Sequence, residues 1–171
     1  MNIDEAVLVE ASEEFQTELL AMAEEYAAIG DERYREVLED ISAYLRSVER
    51  YARGVALPPG HVPSNTFFLV HHGKVVGRSS LRHRLSPSLE LEGGHIGYDI
   101  QPSARQRGYG TRILALTLER ARALGLKRAL LTCNTDNTAS ARIIEKNGGR
   151  LSGHAVSQMT GKPISQYWIE L

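Results

Sequence analysis

Gln101-Pro102-Ser103-Ala104-Arg105-Gln106-Arg107-Gly108-Tyr109-Gly110-Thr111 stands between a strand-like segment and a long amphipathic helical one, and its reading decides the fold. The first turn of a helix carries backbone N–H groups without intrahelical partners, and the helix dipole adds partial positive charge there. An anionic group such as a pyrophosphate fits that end. Gly108 and Gly110 let the backbone approach a ligand closely, and Arg105 and Arg107 add charge that pairs with phosphate oxygens. The competing reading is that two glycines merely shape a helix entrance.

Outward from this stretch, Ile96-Gly97-Tyr98-Asp99-Ile100 reads as a short strand that stops near Pro102, which has no N–H for a ladder. Downstream, Gly110, Ile113, Leu114, Thr117, Leu118, Ala121 and Leu124 recur at helical spacing, and Gly125 marks the stop. Strand, glycine turn and helix therefore follow in order. A dinucleotide fingerprint needs a third glycine where Ile113 stands, and the Gly-Lys-Ser/Thr of a P-loop is missing. A strand over Arg128 to Cys133 leads into Asn134-Thr135-Asp136-Asn137-Thr138-Ala139-Ser140-Ala141-Arg142-Ile143-Ile144-Glu145-Lys146-Asn147-Gly148-Gly149.

Arg105, Gly108 and Gly110 match the R/Q-x-x-G-x-G/A signature of the GNAT superfamily of acyl-CoA-dependent N-acetyltransferases, which this chain resembles. The second segment resembles that family's other cofactor motif, an Asn before a short helix ending in Glu-Lys-x-Gly. Asn137 takes the Asn position, Ser140 that of the small residue and Gly148 that of the terminating glycine. The resemblance spans roughly Asn65 to Leu171. It implies an α/β (mixed α+β) fold with a central mixed, mostly antiparallel sheet flanked by helices, and transfer of an acetyl group from acetyl-CoA to an amine.

Composition is compatible with that. At 171 residues the chain suits one domain, taken here as 1–171. Twenty basic against 21 acidic residues leave a net charge of −1, so no global field favours nucleic acid or an anionic membrane. One cysteine, Cys133, excludes an intramolecular disulfide, and no Cys/His spacing resembles a zinc site, so no metal is expected. No apolar run approaches the roughly 20 residues that span a bilayer. The acidic start Met1 to Glu5 lacks the basic segment of a signal peptide, and a cytoplasmic location is expected.

Ala6 to Glu10 reads as a first strand, and Ser12 as the cap of a helix running to about Ala28. Asp31 to Gly54 reads as one further helix with the apolar stripe Tyr34, Val37, Leu38, Ile41, Leu45 and Val48. After the Leu57–Pro63 linker, Asn65 to Val70 and Lys74 to His83 form a hairpin around His71-His72-Gly73, with both histidines exposed. Ser86 to Gly94 reads as a loop, and Arg150 to Gln158 and Ile164 to Leu171 as the last strands.

An amine must be neutral to attack, and an unperturbed lysine-like amine has a pKa of about 10.4, so something must take a proton. Strand alternation puts His95 and Asp99 on one polar face, which makes His95 a candidate base, with a structural histidine beside Gly93-Gly94 as the competing reading. Glu92 and Glu90 are rival bases by position in the family. The resemblance implies that Ile100 pairs with pantetheine amides, that Arg105, Gln106, Arg107, Gly108, Tyr109, Gly110 and Thr111 surround the pyrophosphate, and that Asn137, beside Ser140, bonds the pantetheine arm. A helix cap is the other reading of Asn137.

Many GNAT enzymes carry a Tyr near the thioester sulfur where this chain has Ile144. Tyr98, Tyr167 or Ser140 could supply a hydroxyl instead, and a thiolate with a pKa near 8.5 leaves with modest help. Cys133, in an apolar run, reads as a buried inert thiol. Two other functions stay open: an acyl-CoA sensor without turnover, and a protein-interaction domain that presents the Tyr34–Val48 stripe. Among partners, acetyl-CoA and an unidentified amine are expected, and similar proteins form homodimers through sheet edges.

Overall fold

The protein is described here by a computed structural model covering residues 2–171. Its elements are β1 (Val7–Glu10), α1 (Gln16–Ala28), α2 (Arg35–Glu39), α3 (Ile41–Arg53), β2 (Ser64–His71), β3 (Lys74–Arg82), α4 (Pro87–Leu91), β4 (Ile96–Ile100), α5 (Tyr109–Leu124), β5 (Arg128–Asn134), α6 (Thr138–Lys146), β6 (Arg150–Val156) and β7 (Pro163–Glu170). The strands form two antiparallel sheets, ordered β1-β2-β3-β4 and β5-β7-β6. The expected α/β fold of antiparallel sheet and flanking helices is present, and the sheet is parted between β4 and β5.

Side chains on β2 alternate between two cores, which is why this strand is apolar without interruption. Phe67 and Leu69 join Ile113, Leu114, Leu118 and Ala121 of α5, together with Ala129 and Leu131 of β5 and Tyr167 and Ile169 of β7. Phe68 and Val70 face the other way, onto Leu19, Met22, Ala23 and Tyr26 of α1 and onto Tyr34 and Val37. Helix α5 thus packs on both sheets at once and holds them in one core. Among the described residues no helix is long and apolar enough to cross a membrane.

The single helix expected over Asp31 to Gly54 is two. Asp40 adopts an extended backbone, and its side chain accepts the Ala43 N–H at 2.9 Å, so a local carboxylate cap ends α2 and starts α3. The apolar stripe breaks with it. Tyr34 and Val37 are each 1% exposed in the core, whereas Leu38 is 41% exposed, so the stripe does not form one free interface. The loop expected over Ser86 to Gly94 contains α4, which Ser86 caps through the Leu89 N–H and Pro87 opens at its first position. His71, expected at an exposed tip, is buried with its Nδ1 2.6 Å from the Tyr109 hydroxyl, while His72 is exposed.

Candidate active site

Helix α1 shapes the turn that precedes α5. The Glu25 carboxylate accepts from the Gln101 side-chain amide (2.7 Å), the Ser103 N–H (2.9 Å) and the Ser103 hydroxyl (2.9 Å), fixing a short 3-10 turn over Pro102–Ala104. The chain then takes positive φ at Gln106 (60°) and Gly108 (89°) before α5 begins. Arg112 is the residue whose N–H bonds back to the Gly108 carbonyl, at 3.1 Å. The amides of Gln106, Arg107, Gly108, Gly110 and Thr111 donate to no carbonyl of the described residues. Successive amides left open in this way at a helix N-terminus form an anion-binding nest.

The two glycines serve different ends. Gly108 holds a left-handed backbone that a side chain would strain. Gly110 is helical, and a Cβ there would lie 2.5 Å from Ile143 Cδ1, so its missing side chain admits α6. Tyr109 points its ring inward to His71, and the Arg105 guanidinium lies over the Tyr26 ring, 5.4 Å from its centroid.

Strands β4 and β5 meet once. The His95 N–H donates to the Leu130 carbonyl (2.7 Å), and the Leu130 N–H donates to His95 Nδ1 (2.9 Å). Gly94 makes this approach possible, because a Cβ at that position would sit 2.2 Å from the Leu130 oxygen. Burial, aided by Arg82 and Arg128, pushes the His95 pKa down, so the neutral ring accepts at Nδ1. The ring is 6% exposed, which gives the competing structural reading its geometry, although its partner is a β5 amide and not the loop carbonyls. His95 and Asp99, expected on a common polar face, have separate partners: Asp99 pairs with Arg33 and Arg78 and accepts from the Tyr34 hydroxyl.

Beyond that junction the two strands diverge and enclose a cleft of about 310 Å³ lined by Ile96 to Asp99 of β4, Leu131 to Cys133 of β5 and Asn137, Ser140 and Ile144 of α6. In the antiparallel ladder with β3, alternate residues of β4 turn their backbone groups the other way, so those of Ile96 and Tyr98 face this cleft and those of Ile100 lie just beyond it. The Ile100 carbonyl is taken by the Tyr26 hydroxyl at 2.7 Å. Tyr98 Oη lies 3.0 Å from Ser140 Oγ, and burial, opposed by that hydrogen bond, lifts its pKa to about 12. Asn137 caps α6 by accepting the Ser140 N–H through Oδ1, which leaves its Nδ2 as a donor.

Cys133 is half-buried and lines the cleft rather than lying wholly inside, and burial pushes its thiol pKa up. Ile144 is buried at the back of the cleft, and Tyr167 belongs to the core, which leaves Tyr98 and Ser140 as the cleft hydroxyls among the three considered. Glu92 stands at the C-terminus of α4, where its carboxylate accepts from the Ser157 hydroxyl at 3.0 Å. Glu90 is exposed on α4.

A second cavity, of about 390 Å³, adjoins the cleft through Arg78, Ser80 and Arg82 of β3. Its walls come from Tyr44 and Tyr51 of α3, the 60–64 segment including His61, and Ser86, Ser88 and Leu89 around α4. Tyr51 Oη and His61 Nδ1 lie 2.5 Å apart. The arginines of β3 were not among the residues singled out from sequence. Their signal was there, since Arg78, Ser80 and Arg82 recur at the strand period of two.

The structure thus holds open amides at a helix N-terminus, a cleft beside an unpaired strand edge and a second cavity that adjoins the cleft. The family model for the acetyltransferase (GNAT) domain matches residues 15–150. The chain therefore belongs to the GNAT acetyltransferases, which are acyltransferase enzymes. Comparison with curated proteins by sequence gives no match. Solved structures share the fold at low identity. The microcin C7 self-immunity acetyltransferase MccE, in complex with acetyl-CoA and AMP, superposes with a TM-score of 0.76 at 16% identity over 98% of this chain and 93% of that one. Mycobacterium smegmatis RimJ, in complex with a CoA disulfide, gives 0.74 at 18% identity over 95% and 80%. The ribosomal alpha-N-protein acetyltransferase RimL, in complex with coenzyme A, gives 0.72 at 17% identity over 96% and 93%.

Proposed function

We propose that the protein transfers an acetyl group from acetyl-CoA to a primary amine by direct attack, with both substrates bound together. The carrying observation is the set of open amides at Gln106, Arg107, Gly108, Gly110 and Thr111 together with the unpaired edge of β4 and a second cavity that shares Arg78, Ser80 and Arg82 with the cleft. Solved relatives of the same fold that hold coenzyme A or acetyl-CoA support the choice of donor.

The amides of Gln106, Arg107, Gly108, Gly110 and Thr111, with Arg105 and Arg107, would hold the pyrophosphate. Tyr109 contributes only its place in the turn. The outward backbone groups of Tyr98, the Ile100 N–H and the Asn137 Nδ2 would hold the pantetheine arm. Acetyl-CoA supplies a thioester carbonyl open to attack. Tyr98 keeps its proton well above neutral pH, so Oη can donate a hydrogen bond, without giving up the proton, to the leaving thiolate, with Ser140 Oγ orienting the hydroxyl. His95 acts by holding β4 and β5 together through Nδ1, which leaves the ring proton on Nε2 and no free nitrogen to serve as a base. Glu92 is the rival carboxylate. His61, paired with Tyr51, is a base candidate inside the second cavity that sequence reasoning had not raised.

Calorimetric titration with acetyl-CoA and with S-acetylpantetheine, which lacks the nucleotide and pyrophosphate, tests the donor site without altering the fold. The truncated thioester should bind at least about 100-fold more weakly, the loss of two or more charge-assisted hydrogen bonds. Equal affinities would remove the nest from the reading. Acetyl-CoA binding without thiol release across a broad amine panel would leave a binding module in place of an enzyme.

A further inference from the structure

The second cavity has an unusual charge balance. Arg78 and Arg82 both reach it from β3, and no Asp or Glu lines it. Arg78 shares Asp99 with Arg33 and donates to the Tyr44 hydroxyl at 3.0 Å, while its buried Nε has no acceptor. Arg82 has no carboxylate within ion-pair distance among the described residues. Its Nη1 donates to the Gly93 carbonyl at 3.1 Å and the Gly94 carbonyl at 3.0 Å, and its Nε and Nη2 have no acceptor.

A half-buried guanidinium beside a second one, with no carboxylate of its own, is held at a cost, and its spare Nε and Nη2 stay open to solvent and so to a ligand. It is also a poor neighbour for a protonated amine. Both objections disappear if the acceptor itself brings an anion. We infer that the acceptor is an amine that also carries an oxyanion, a carboxylate or a phosphate, and that Arg82, backed by Arg78, binds that oxyanion in the second cavity. This inference rests on the acetyl-transfer reading above.

The geometry suits it. A guanidinium presents a planar fork to a carboxylate or phosphate. Arg82 lines both cavities, so an anion on it leaves the rest of a small acceptor next to the cleft. Hydroxyls of Ser64, Thr66, Ser80, Ser86 and Ser88 supply further donors around the same volume.

The test uses pairs that differ in the anion, phenylalanine with phenylalaninamide and phosphoethanolamine with ethanolamine, with each rate referred to the fraction of neutral amine because the anion also raises the amine pKa. Thiol release from acetyl-CoA reads transfer, and the thermal midpoint of the protein, with and without coenzyme A, reads binding independently of turnover. The anionic member of at least one pair should show a kcat/KM about 10–100-fold higher, the range for hydrogen bonds to a charged group, and should raise the midpoint more. Which pair responds distinguishes carboxylate from phosphate.

Arg82→Gln should bring the ratio toward one. Because Arg82 also holds the Gly93 and Gly94 carbonyls, Arg82→Lys, which keeps the charge and loses the fork, is measured beside it and should lower the ratio as well. Equal or better use of the neutral members, or no anionic preference in the midpoints where no member is turned over, overturns the inference. The first of those leaves acetyl transfer standing. Failure of acetyl-CoA to bind would instead remove the reading beneath, and the midpoints without coenzyme A still decide whether the cavity takes an anion.

Discussion

Replacing Gly94 with alanine tests whether the single meeting of β4 and β5 holds the two sheets in register. Gly94 has a φ of +61°, and an added Cβ would lie 2.2 Å from the Leu130 oxygen and 2.7 Å from its carbonyl carbon. Those are backbone atoms of a buried strand and cannot swing aside. The left-handed backbone alone costs an alanine about 1–2 kcal/mol. Pushing Leu130 away also breaks the His95 N–H to Leu130 carbonyl bond and the Leu130 N–H to His95 Nδ1 bond, each contributing about 0.5–1.5 kcal/mol. The sum is roughly 2–5 kcal/mol, or a thermal midpoint lower by about 4–20 °C for a domain of this size. Gly125→Ala is the control: its φ is +97° with nothing within 4 Å of the added Cβ, so it carries the backbone cost alone. Calorimetric or circular-dichroism melts of the two variants separate the effects. If Gly94→Ala melts no lower than Gly125→Ala, the junction contributes nothing, and the account of how the cleft is held open fails.

Three further outcomes follow from the same geometry. Gly110→Ala presses on Ile143 Cδ1 at 2.5 Å, the tip of a flexible side chain, so it should cost about 1–3 kcal/mol as overpacking, and Ile143→Val, which removes that atom, should recover much of the loss in a double-mutant cycle on urea midpoints; additive costs would refute the contact. Tyr98→Phe should lower kcat by about 100-fold or more with little change in the KM for acetyl-CoA, and unchanged kcat would dismiss the hydroxyl as donor. His95 is held neutral in the fold while the unfolded chain protonates below about 6.5, so in that window the unfolded state binds more protons and stability falls as pH falls. His95→Asn, whose Oδ1 can replace Nδ1 as acceptor, should flatten the fall in urea midpoints between about pH 7 and 5, leaving the part due to His83, whose pKa burial and Arg84 also lower; an unchanged slope would refute the assignment.

Local order was legible in the sequence where one signal acted alone. Pro102, Gly108 and Gly125 punctuate β4, the turn and α5 where expected, because fixed φ, left-handed φ and helix termination are properties of single residues. Reading failed where two local signals competed. Asp40 carries a cap signal inside an apolar helical pattern, and the cap won; Ser86 and Pro87 carry a helix start that the following glycines obscured. The site was legible only in part, since contacts between distant segments are not written locally. Gly110 looks like a ligand-approach glycine until Ile143 of α6 is seen against it, and Arg78 and Arg82 look like ordinary solvated strand arginines until α3 and α4 enclose them.

The parting of the sheets explains why a site stands there at all. An unpaired strand edge invites strand addition, and proteins normally cover such edges or fill them with charge. Here the edge of β4 lies inside the molecule, beside β5, and the two strands are kept apart beyond the one junction that Gly94 and His95 allow. Tyr26 occupies the Ile100 carbonyl, which limits the edge at its far end, and Tyr98 and Ser140 meet across the gap near α6. What remains is a short run of inward backbone groups that no strand of the chain satisfies. On the proposed reading its complement is an extended molecule with amides of its own, as pantetheine has, and the open amides before α5 would hold an anion. If acetyl-CoA binds as proposed, fold and chemistry share one cause: a stretch of pairing that the sequence withholds from its own sheets is what it would offer a donor.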